Sequence, residues 1–82
     1  SRDHVYARSN QLCKSVENTA LEAGVMFADS RIFLQNASYQ KGYLHGPNDA
    51  GHFNWRGYQA LGEVIANMIR TRENFRCARI GS

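Results

Sequence analysis

Apolar residues recur at helical spacing in the first quarter of the chain. Leu12, Val16, Ala20 and Ala23 fall four, four and three apart, with Glu17, Asn18 and Glu22 between them. This pattern predicts an amphipathic helix over about 5–23, ended by Gly24 in a left-handed turn. Val25-Met26-Phe27-Ala28 follows as a short continuous apolar run, which predicts a buried parallel strand over 25–28. Asp29-Ser30 ends it. Arg31 to Leu34 suits one brief helical turn, and the polar stretch from Gln35 to Lys41 reads as loop.

The segment from Gly42 through Gly57 carries four glycines, both ends included, and the single proline, Pro47. That composition predicts an irregular surface loop over 42–54. Asn54 has the right chemistry to cap a helix, because its side-chain oxygen can accept an orphan backbone N–H. Tyr58, Leu61, Ile65 and Met68 then form one stripe, widened by Val64 and Ile69, which predicts a helix over 55–70. Helix, strand, loop and helix in this order read as the closing unit of a layered α/β domain.

Size changes this picture. The 82 residues can bury a modest core but cannot supply the four or five parallel strands and covering helices of a doubly wound sheet. A second chain or further sequence is therefore expected to complete the domain. With 43% hydrophobic and 21% charged residues, the composition is that of a globular protein. No apolar stretch is long enough to span a bilayer.

The formal charge of +3 comes largely from Arg70, Arg72, Arg76 and Arg79. These arginines are not interleaved with stacking aromatics, so residues 71–82 read as a solvated basic tail and not as a nucleic-acid surface. Arg70 and Arg72 also suit the negative end of the last helix dipole. Cys13 and Cys77 admit a long-range bridge, a Cys13 thiol on the buried face of the first helix with an exposed Cys77 tail thiol, or a tether to another chain. Asn36-Ala37-Ser38 forms an N-glycosylation sequon.

Candidate chemistry concentrates at Asp49 and His52. A carboxylate three residues before an imidazole can hold one ring nitrogen and leave the other for proton transfer. Tyr43, Phe53 and Trp55 flank the pair. Tyr43 and Trp55 are candidates for walls of a substrate pocket, whereas Phe53 reads as a staple of the loop onto the helix. A competing reading takes His45, Asp49 and His52 as ligands of zinc or iron. Pro47 and Gly51 within that span oppose the helical geometry that would place them on one face.

Taken together, Asp49, His52, Asn54, Gly57, Tyr58 and Leu61 spell D-x-x-H-x-N-x-x-G-Y-x-x-L. This block resembles the last conserved block of the SGNH, or GDSL-like, esterase and acyltransferase superfamily. The resemblance runs from about Val5 to about Ile69 and covers roughly the C-terminal third of such a domain. It implies the C-terminal portion of a three-layer α/β/α, flavodoxin-like hydrolase domain completed by another chain or by upstream sequence.

By the same resemblance, His52 is the general base, Asp49 its orienting partner, and Asn54 and Gly57 structural supports. No cofactor or metal is implied. The substrate is expected to carry an ester, on an acylated carbohydrate or a lipid. None of Ser1, Ser9, Ser15, Ser30, Ser38 or Ser82 sits in a Gly-Asp-Ser turn, so the nucleophile is expected outside this chain. Three functions remain open: an esterase or deacetylase, a carbohydrate O-acyltransferase with the same triad, and a non-catalytic interaction module.

Overall fold

The computed structural model describes residues 2–46 and 49–81, and the backbone alone at residues 41, 45, 46 and 49–51. Among the described residues the regular structure comprises three helices and one short hairpin: α1 (Arg2–Glu22), α2 (Arg31–Lys41), β1 (His45–Gly46), β2 (Asp49–Phe53) and α3 (Trp55–Thr71). The chain divides into two compact units. One comprises residues 1–29 and 73–82, the other residues 30–72.

This architecture corrects the expected three-layer α/β/α fold. The chain is mainly helical, and no parallel sheet forms among the described residues. The run Val25–Ala28 does not become a strand. Ala28 makes only an isolated parallel bridge with Phe75, and Val25 and Met26 are exposed. The physical reason lies in pairing: an extended segment needs neighbours for its N–H and C=O groups. Here the partner is a few residues of irregular chain. Asp29 N–H donates to Phe75 O (2.7 Å), and Phe75 N–H donates to Phe27 O (3.0 Å).

In the first unit, α1 ends in a Schellman turn, with Val25 N–H donating to Ala20 O and Gly24 N–H to Leu21 O. Gly24 has φ of +72°, a conformation that costs glycine no steric penalty. The expected apolar face of α1 is not its buried face. Leu12 and Val16 are 50% and 58% exposed, whereas Glu17 is 0% exposed. Residues 76–80 cover the side of α1 that carries Asn10, Cys13 and Glu17, so this segment is not the solvated tail that its charge suggests.

In the second unit, residues 31–41 form three turns of helix where the polar composition suggested mostly loop. Leu34 N–H donates to Ser30 O at the start, and Gly42 N–H returns to Ser38 O at the end. The segment expected to be an irregular loop contains the hairpin. β1 and β2 pair antiparallel with His45 opposite Phe53 and Gly46 opposite Asp49. Glycine and proline punctuate a strand connection as readily as a loop, and composition alone does not separate the two.

Helix α3 packs on α2 through Ala60 and Val64, which are buried, and an open groove between the two helices is lined by Phe33, Ala37, Ala60 and Val64. Tyr58, Ile65 and Ile69 are exposed on α3. No helix among the described residues is long and apolar enough to cross a membrane.

Candidate functional site

The hairpin and the first turn of α3 are joined through Asn54. Its Oδ1 accepts from the backbone N–H groups of Arg56 (2.9 Å) and Gly57 (3.1 Å), satisfying two donors that a helix start leaves orphaned. Its Nδ2 donates to Tyr43 O (2.7 Å), and its own N–H donates to Leu44 O (2.6 Å). One side chain thus ties the entry of the hairpin to its exit and both to the helix.

Gly57 permits that closeness. A Cβ at this position would fall 2.5 Å from Leu44 O and 2.7 Å from Phe53 Cβ, distances that real side chains do not tolerate. Glycine is required here by a near approach of backbone, not by an unusual φ. The Phe53 ring meets Tyr58 edge to face with centroids 5.9 Å apart, fastening the end of β2 to α3.

His52 lies on β2, two residues before this cap, and is exposed. Asp49 opens the same strand, but its side chain lies outside the described residues, as does that of His45. The expected Asp49–His52 pair and the alternative metal set of His45, Asp49 and His52 therefore fall outside them too. Of the two candidate pocket walls, Tyr43 and Trp55 are both strongly exposed. The Arg56 guanidinium stands 4.9 Å from the centre of the Trp55 ring, a cation–π contact at the surface.

A second constellation lies in the unit built on α1. Three positions on one face of the helix, Asn10, Cys13 and Glu17, grip the segment that follows α3. Asn10 exchanges two hydrogen bonds with Ile80, Nδ2 to the carbonyl (3.1 Å) and the Ile80 N–H to Oδ1 (3.2 Å). Cys13 is disulfide-bonded to Cys77, which decides among the three readings of the cysteines. Glu17 receives both edges of the Arg76 guanidinium, Nη2 to Oε1 (3.1 Å) and Nε to Oε2 (3.0 Å), and the Cys77 N–H at 2.7 Å.

Lys14 adds a further contact to Glu17 Oε1 at 3.1 Å. The Arg76 hydrogen bonds, followed by that from Cys77, hold the Glu17 carboxyl down at about 2, against the opposing push of burial. Asp29, also buried, accepts from Ala78 N–H at 2.9 Å. Among the described residues, no buried side-chain polar atom lacks a hydrogen-bond partner.

Sequence reasoning passes over this clamp because Glu17 looks like a solvated charge between apolar neighbours. The available signal is spacing: Asn10, Cys13 and Glu17 stand at i, i+3 and i+7, the repeat of a single helix face. Comparison with known proteins finds no matching family model, no similar curated protein and no similar solved structure.

Proposed function

We propose that this chain supplies an imidazole base, His52, and its carboxylate partner, Asp49, to a serine nucleophile carried by another chain or segment, in ester hydrolysis of the SGNH type. The observation that carries the reading is the anchoring of His52. It is exposed on a strand whose exit is fixed to a helix through Asn54, Gly57 and the Phe53–Tyr58 contact. A base must hold its position while remaining open to an incoming hydroxyl.

In this reaction the imidazole takes the serine proton as the oxygen attacks the ester carbonyl, then returns it to the leaving alkoxide. Water resolves the acyl-serine by the same route in reverse. If a carbohydrate hydroxyl replaces that water, the same groups perform O-acyl transfer. Exposed apolar side chains, Leu12 and Val16 on α1 and Tyr58, Ile65 and Ile69 on α3, support a partner that covers them.

A second reading, an interaction module without chemistry, draws on the clamp: Arg76, Cys77 and Ile80 are held to α1 without help from a further segment. A fluorophosphonate probe separates the two. Under the catalytic reading it labels a serine of the partner or full-length parent, not of these residues, and labelling collapses in His52→Ala. Undiminished labelling and ester turnover in His52→Ala would overturn the catalytic reading.

A further inference from the structure

The Cys13–Cys77 bridge has a buried carboxylate beside it. Cys13 Sγ, Cys77 Sγ and a carboxylate oxygen of Asp29 all lie within 4.8 Å of one another. We propose that, when the bridge is reduced, these three groups form a binding site for a thiophilic divalent cation of the zinc type, with water as the fourth ligand. The site belongs to the α1 unit and stands independently of the role assigned to His52.

The geometry suits that chemistry. Tetrahedral zinc, with bonds of about 2.3 Å to sulfur and about 2 Å to oxygen, needs its ligand atoms roughly 3.5–4 Å apart. The Cα atoms of Cys13 and Cys77 are 6.1 Å apart, so the two sulfurs reach such a spacing by side-chain rotation with the backbone held. The backbone has other ties on both sides of Cys77: Glu17 to Arg76 and to the Cys77 N–H, Asp29 to the Ala78 N–H, and Asn10 to Ile80. These bonds keep the two thiols facing each other after the covalent link is gone.

Charge and access agree. Two thiolates, a carboxylate and a divalent cation sum to −1. Lys14 and Arg79, of opposite sign, line an open groove with Cys77, Ala78, Ala7 and Asn10. Cationic neighbours favour thiolate over thiol, and thiolate is the form that binds metal. The groove gives reductant and ion a route to Cys77.

The steps balance. A phosphine attacks the disulfide, and with one water it yields two thiols and the phosphine oxide. The cation then displaces two protons, one from each sulfur.

The test takes the full chain, reduced with a water-soluble phosphine, freed of it in oxygen-free buffer and titrated with Co2+. One equivalent should raise thiolate-to-cobalt charge-transfer bands with tetrahedral d–d bands and release two protons, while the oxidised chain shows neither. Asp29→Asn, which keeps an acceptor for the Ala78 N–H, should weaken binding by at least about tenfold. Cys13→Ser should abolish the charge-transfer bands of the bidentate pair.

The proposal fails if the reduced chain shows no thiolate bands at saturating Co2+, or if either variant binds as the wild type does. Should reduction unfold the chain, circular dichroism decides. Recovery of helical signal with one equivalent of metal supports the site, and no recovery at saturation overturns it.

Discussion

Arg76 and Glu17, 59 residues apart, meet as a two-pronged pair, the guanidinium Nη2 on one carboxylate oxygen and Nε on the other. The carboxylate is fully buried while the guanidinium side chain stays largely in solvent. Such a pair is asymmetric in its consequences. Removing the exposed arginine leaves a buried anion with Lys14 and one backbone N–H, and removing the acid leaves a surface cation and a Cys77 N–H that has lost this acceptor.

The pH dependence follows from the acid. The folded carboxyl of Glu17 sits at about 2, below its ordinary 4.5, so as pH falls the unfolded chain takes up the proton first. The stability that Glu17 contributes is therefore complete above 4.5 and drains away as pH drops toward 2. Thermal unfolding from pH 7 to pH 2 should show this loss. Glu17→Gln should flatten that part of the curve and lower the melting temperature at pH 7.

Opening the disulfide tests the cross-link itself. With its ends 64 positions apart in sequence, the chain-entropy account gives about 4 kcal/mol of stability at 25 °C. Cys13→Ser/Cys77→Ser should lower the denaturation free energy in urea by that order. A loss near zero would mean that the Glu17 and Asn10 contacts hold the segment by themselves.

Gly57→Ala should be destabilising despite the higher helix propensity of alanine. The added methyl meets the Leu44 carbonyl and Phe53 Cβ, and the resulting shift costs about 1–3 kcal/mol. Chemical denaturation would register the loss. A variant as stable as the wild type would show that the hairpin can stand away from α3.

Asn54→Ala removes the cap and the tie to Tyr43 at once. Loss of the cap alone costs about 1–2 kcal/mol. Amide exchange at Arg56 and Gly57 should speed up in this variant, and that at Val64, in the middle of α3, should change least.

For the proposed chemistry, the completed enzyme carrying Asp49→Asn should lose about four orders of magnitude in kcat, the scale expected when the group that fixes an imidazole tautomer loses its charge. His52→Ala should reduce turnover at least as far. Steady-state ester hydrolysis measures both. Equal activity of Asp49→Asn and wild type would remove Asp49 from the mechanism.

Legibility from the sequence tracks the range of the interactions. Asn54 as N-cap, Gly24 as helix terminator and the helices ending near Glu22 and Thr71 depend on residues within a turn or two of one another, so propensity and periodicity reveal them. The D-x-x-H block is equally local, and the tie between the end of β2 and the start of α3 was legible from the capping chemistry of Asn54.

Which face of α1 is buried could not be read in the same way. Its apolar stripe through Leu12 and Val16 argues for one side, but the segment 76–80 settles on the other. There Glu17 is desolvated only because Arg76 and the Cys77 N–H arrive with it. Likewise, Val25–Ala28 has only the Ala28–Phe75 bridge among the described residues, and β1 pairs with β2 within the stretch expected to be loop. The sequence by itself therefore determined where α1 stops, where α3 starts and stops, and which residue types could do chemistry, but not α2, whose polar residues carry no apolar repeat. Tertiary structure alone decided the cysteine pairing, the burial of Glu17 and Asp29 and the absence of a parallel sheet among the described residues. Each of those depends on partners up to some sixty residues away, and side-chain spacing along a single element carries no record of them.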